Sequence, residues 1–136
     1  SYAMTLAERM NREVQRIIDS KAYAEIFPGT RIPERGKPNR EGKTRNNDLV
    51  EVLGRAGSYR AAGARVGISG MGMHIGLIDD PIKDAKEASS QTIRDDVWDW
   101  YVSTFYSRLA PGGGILLVQT RWHEDDLAGR LIAASE

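Results

Sequence analysis

Apolar residues recur at three- and four-residue steps through Leu6, Met10, Val14, Ile17 and Ile18, while Glu8, Arg9, Arg12, Glu13 and Arg16 face elsewhere. That spacing predicts an amphipathic helix over 5–20, because side chains three and four apart share one helix face. Thr5 is placed to cap it, with Glu8 three residues on completing a capping box. A second periodic set, Ile93, Val97, Trp100, Tyr101, Phe105 and Leu109, predicts a long helix over 88–109, stopped by Pro111-Gly112-Gly113-Gly114. Short runs at 49–53, 57–62, 66–69 and 75–78, punctuated by glycines, read as strands. Ile115-Leu116-Leu117-Val118 is an uninterrupted apolar run, the pattern of a strand buried on both faces of a parallel sheet. A final helix is expected over 124–135, starting near His123. Residues 28–47 carry three prolines and no apolar periodicity, and read as a long flexible loop. Strands alternating with helices predict an α/β layered domain. Neither an internal repeat nor a domain boundary is visible.

Composition narrows the classes. The 136 residues correspond to about one small domain, and 40% hydrophobic content is enough for a core. Cysteine is absent, which excludes a disulfide framework, cysteine-ligated zinc and a cysteine nucleophile. No apolar run approaches the ~18 residues of a membrane span, and the N-terminus lacks the pattern of a secretory signal. A cytoplasmic protein without a membrane partner is the expectation. The formal net charge of zero hides a polarity: residues 1–65 carry 13 Lys+Arg against 8 Asp+Glu, and residues 66–136 carry 6 against 11. Much of the basic excess lies in one stretch, Arg31, Arg35, Lys37, Arg40, Lys43 and Arg45. Such a stretch suits contact with nucleic-acid phosphates, or is a solvated loop.

The candidate chemistry sits at two strand ends. Gly76-Leu77-Ile78-Asp79-Asp80-Pro81 runs a short apolar strand into paired carboxylates, at the edge where open α/β sheets bind ligands. An aspartate there can hold Mg²⁺, usually through water, while a second acid polarises an attacking water. The apolar run 115–118 likewise ends in Gln119-Thr120-Arg121, so Thr120 is expected on the same rim as Asp79. A hydroxyl in that place can contact the acid or water beside a γ-phosphate. His123-Glu124-Asp125-Asp126 lacks a metal-binding histidine pair and reads as the acidic first turn of a helix. Gly42-Lys43-Thr44 imitates the end of a phosphate-binding loop, but no strand precedes it and the glycine spacing is wrong. Gly67-Ile68-Ser69-Gly70-Met71-Gly72-Met73 is glycine-rich without the order or the helix of a dinucleotide fingerprint.

In this order, several of these segments resemble the ATPase domain of phage terminase large subunits. The matching stretches are Ser1-Tyr2-Ala3 with Leu6-Ala7-Glu8-Arg9, Ile26-Phe27-Pro28, Gly57-Ser58-Tyr59-Arg60-Ala61-Ala62-Gly63 and Gly67-Ile68-Ser69-Gly70-Met71-Gly72. Leu77-Ile78-Asp79-Asp80-Pro81-Ile82-Lys83-Asp84 and Thr120-Arg121-Trp122-His123-Glu124-Asp125-Asp126-Leu127 complete the set. The resemblance implies part of a P-loop NTPase of the ASCE type, a three-layer sheet with flanking helices. It implies that Asp79 is the Walker B aspartate that holds Mg²⁺ and that Asp80 takes the place of the catalytic glutamate, one methylene shorter. Thr120 matches the hydroxyl of the coupling motif.

The implied parent protein hydrolyses ATP with Mg²⁺ and pumps duplex DNA into a procapsid. Its partners are the portal protein and a small terminase subunit. Arg35, Lys37, Arg40, Lys43 and Arg45 are the candidate DNA contacts. The Walker A loop is expected upstream of Ser1 and the nuclease domain after Glu136. Residues 1–136 alone are therefore expected to bind ATP and Mg²⁺ weakly and to be inactive. A strand edge left open predicts self-association. A helicase-like ATPase and a non-enzymatic prophage remnant with a DNA or protein interaction surface are the competing readings.

Overall fold

A computed structural model describes residues 4–65, 70 and 72–135. Its contacts fall into two compact units, one within 3–62 and the other from Gly63 onward, a division that the sequence does not announce. The chain is a mixed α/β protein with small sheets.

The first unit holds helices α1 (Met4–Ile18) and α2 (Lys21–Ile26) and strands β1 (Leu49–Glu51) and β2 (Ser58–Arg60). The helix expected over 5–20 is present, but it begins at Met4, so Thr5 lies inside its first turn and is not the cap. It ends early because Ser20 intervenes: its Oγ donates to Ile17 O at 2.7 Å and accepts the Tyr23 N–H at 3.2 Å, starting α2. A serine at that position satisfies an orphan donor of the second helix.

The buried face of α1 is not the apolar stripe. Ala7, Asn11 and Gln15 are its buried residues, with Asn11 at 0% and Gln15 at 1% exposure, whereas Ile17 is 58% exposed. Two inward amides serve irregular backbone that has no ladder partner. Asn11 Nδ2 donates to Asn47 O at 2.9 Å, and Gln15 Nε2 donates to Asn46 O at 2.7 Å. Buried carbonyls require such donors, and here that requirement overrides hydrophobic periodicity. β1 and β2 pair antiparallel, with Val50 opposite Tyr59, and Val50 is buried. The segment 28–47 is crossed by turns, among them Lys37 N–H to Glu34 O and Gly42 N–H to Asn39 O.

The second unit is built on β3 (Met73–Asp79) and β4 (Leu109–Val118), which pair in parallel with Gly76 beside Ile115, Ile78 beside Leu117 and Asp79 beside Val118. Between them run α3 (Ala85–Ser89), α4 (Gln91–Trp100), a π-helical turn (Tyr101–Phe105) and a 3-10 turn (Tyr106–Arg108). The single helix expected over 88–109 is therefore divided. Ser90 ends α3 and caps α4, its Oγ accepting the Ile93 N–H at 3.4 Å, and Asp84 caps α3 through the Glu87 N–H.

Pro111–Gly114 does not stop a helix but belongs to β4. The register jumps there from Met73–Leu109 to Ile75–Gly114, so β4 bulges. A Cβ on Gly113 would stand 2.7 Å from His74 O, which is why glycine occupies the bulge. The strand candidate 66–69 lies outside the described residues.

The core of this unit is Ile78, Ile82, Ala88, Val97, Trp100, Tyr101, Phe105 and Leu127, with Ile115 and Leu117 packed against it. The expectation that 115–118 is buried on both faces is not met. Burial alternates along β4, and Ile75, Leu77, Leu116 and Val118 form the exposed face, each more than half exposed. A two-stranded pair covered by helices on one side produces that alternation. Helix α5 (Leu127–Ser135) starts three residues later than expected, because Asp126 caps it: its Oδ1 accepts the Gly129 N–H at 2.9 Å. Among the described residues, no helix is long and apolar enough to cross a membrane.

Candidate functional site

Both acids lie where the sequence placed them. Asp79 is the last residue of β3, and Asp80 follows at once, before the buried Pro81 and Ile82. β4 ends at Val118, opposite Asp79, so Thr120 stands just beyond the same edge. The link is direct: Thr120 N–H donates to Asp80 Oδ1 at 2.8 Å, and Asp80 N–H donates to Val118 O at 2.9 Å. Asp79 is half-buried, and its carboxylate accepts no hydrogen bond and forms no ion pair among the described residues. The Thr120 hydroxyl likewise has no partner there. A carboxylate with free oxygens at a strand end fits a hydrated divalent cation, which recruits acidic oxygens and keeps several of its own waters. Pro81, Ile82, Gln119, Thr120, Trp122 and Asp126 line a shallow cleft beside this edge.

Behind Thr120 the acidic cluster is tied down by arginines. Asp125 accepts Arg94 Nε at 3.1 Å and Arg130 Nε and a terminal Arg130 nitrogen at 2.8 Å each. Arg130 also reaches Asp95 at 2.7 Å and lies over the Trp98 ring. Hydrogen bonds from Arg130 and Arg94 hold the Asp125 carboxyl well below the usual carboxylate range, and the bonds that Arg130 makes to Asp125 and Asp95 raise Arg130. Asp126, almost fully buried, accepts Arg121 Nε at 2.8 Å as well as capping α5. Asp125 and Asp126 thus do more than favour a helix dipole: they lock the segment after Thr120 onto α4 and α5. Sequence reasoning missed Arg94 and Arg130, since nothing in local spacing links residue 94 to residue 125. His123 Nδ1 accepts the Asp125 N–H at 3.0 Å, and no group of three metal-ligating side chains occurs among the described residues.

The basic stretch divides into committed and uncommitted cations. Lys37 pairs with Glu34, Lys43 stands 3.7 Å from Glu51, and Arg45 binds Asp19 and Gln15. The Glu51 carboxyl is lowered, first by the Thr44 N–H it accepts and less by Lys43. Arg35 makes one long contact, 3.4 Å, to Gln15 Oε1. Arg31 and Arg40 are exposed and form no ion pair among the described residues.

Two parallel strands ending together in an aspartate without a partner among the described residues, a second aspartate and a threonine define an acidic strand-end site of an α/β protein. The family described as terminase large subunit, T4likevirus-type, N-terminal, matches residues 5–135. The chain belongs to that family of phage DNA-packaging proteins. No curated protein and no solved structure matches it.

Proposed function

We propose that this chain forms part of the ATPase of a DNA-packaging motor, which couples hydrolysis of Mg²⁺-bound ATP to movement of duplex DNA into a procapsid. The observation that carries the reading is the convergence of Asp79, Asp80 and Thr120 on one strand-end edge, in a chain of the terminase large subunit family. In this reading the sheet belongs to a P-loop NTPase fold. Asp79 holds Mg²⁺ through water, and the metal would neutralise charge on the transferred phosphoryl group. Thr120, which has no hydroxyl partner among the described residues, stands at the same strand-end edge as Asp79. Arg31 and Arg40, with Arg35, offer phosphate contacts to the duplex, and the portal protein and small terminase subunit are the partners of the assembled motor.

The test is ATP hydrolysis by the gene-length protein with and without duplex DNA, together with a strand-separation assay. The reading expects DNA to stimulate hydrolysis with no unwinding. Strand separation would transfer the chain to the helicases, and DNA binding without any nucleotide effect would leave only an interaction surface.

A further inference from the structure

Asp80 leaves β3 with φ 39, in the left-handed region that residues other than glycine seldom enter. Aspartate tolerates it better than most, yet such a conformation costs on the order of 1–3 kcal/mol and persists only where its surroundings fix it. Two contacts fix it here. The Asp80 N–H closes the ladder onto Val118 O, and the Asp80 carboxylate turns back to accept the Thr120 N–H. Thr120 is exposed and lies past the end of the strand, so this bond is what ties its backbone to β3. The next fastening of the segment is at Arg121, through Asp126.

We infer that Asp80 is a positioning residue, whose carboxylate holds the Thr120 backbone, and with it the Thr120 side chain, beside Asp79. The inference rests on the proposed ATPase reading of this edge. Its chemistry is specific. A positioning acceptor needs only an oxygen at the right length, which the Asn side chain supplies while tolerating the same backbone conformation. Gly relieves the backbone but removes the acceptor, so the two contributions separate.

The experiment compares Asp80→Asn, Asp80→Gly and Asp80→Ala in the 136-residue chain by amide hydrogen exchange at Thr120, with the Ile78 and Leu117 amides as internal standards for folding. Asn should keep Thr120 protected, and Gly and Ala should expose it by about tenfold, as loss of one charge-assisted bond requires. In the gene-length protein, Asp80→Gly should lose ATP hydrolysis together with Thr120 protection. Two results would overturn the inference: Thr120 protection unchanged in Asp80→Gly, or lost in Asp80→Asn. If Asp79→Asn hydrolyses ATP normally, the ATPase reading fails instead, and the exchange result stands apart from it.

Discussion

Arg45 grips the Asp19 carboxylate with both terminal nitrogens, at 3.2 Å and 2.5 Å, while its Nε donates to Gln15 Oε1 at 2.9 Å and one terminal nitrogen to Pro33 O at 2.8 Å. Its side chain is only 10% exposed. A guanidinium with its donors so engaged holds the basic segment to α1 and has little left for a phosphate.

Arg45 and Arg40 should therefore behave differently. Arg45→Ala strands several acceptors and should lower stability by about 1–3 kcal/mol, read by thermal denaturation. Arg40→Ala should leave the melting temperature unchanged. It should weaken binding to any duplex sequence and reduce the slope of log affinity against log salt by about one. Equal effects of the two substitutions on the salt slope would contradict this division.

The polar interior of α1 makes a second prediction. Gln15→Leu adds apolar surface to a helix but leaves the Asn46 carbonyl and the Arg45 Nε without the partner Gln15 supplies. It should destabilise the protein by about 1–3 kcal/mol, whereas Ile17→Gln on the exposed stripe should change stability by less than about 0.5 kcal/mol. Denaturant unfolding of both variants checks the contrast, and the opposite order would show that the apolar stripe is the buried face.

Asp125 sets an acid limit. Its carboxyl is depressed because Arg130 and Arg94 stabilise the charged form, so the native state resists a proton that the unfolded chain accepts near pH 4. The stabilisation is present in full above that value and is lost as pH falls further toward the depressed native value. The melting-temperature gap between the native chain and Asp125→Asn should be widest near neutral pH and should shrink below about pH 4. A gap independent of pH would mean that the arginines do not act through its charge.

Gly76 gives a packing prediction. A Cβ there would lie 2.8 Å from the Phe105 ring, in the core between β3 and the π-helical turn. Gly76→Ala should cost about 1–3 kcal/mol, the usual penalty for overpacking. Gly114, whose added Cβ meets nothing within 4 Å, is the control and should tolerate alanine far better.

The strand-end chemistry was legible because it is local in sequence. An apolar run that ends in Asp79-Asp80-Pro81 and another that ends in Thr120-Arg121 announce their own edges, and parallel pairing brings them together. Helix existence was legible for the same reason. The breaks at Ser20 and Ser90 were not, since a serine inside a periodic pattern reads as a tolerated polar residue until its hydroxyl is seen capping the next helix. The inward face of α1 was misread because Asn11 and Gln15 are buried for partners 36 and 31 residues away, which no periodicity records. Both-face burial of 115–118 rested on the unbroken apolar run, and such a run does not reveal whether a second layer covers the sheet.

The central claim, that the edge formed by Asp79, Asp80 and Thr120 works on Mg²⁺-bound ATP, is tested most directly by Asp79→Asn in the gene-length protein. DNA-stimulated ATP hydrolysis should fall by about a hundredfold or more, the scale expected when a metal-holding carboxylate is lost, with the melting temperature nearly unchanged. Hydrolysis at the native rate in a folded Asp79→Asn protein would contradict the account.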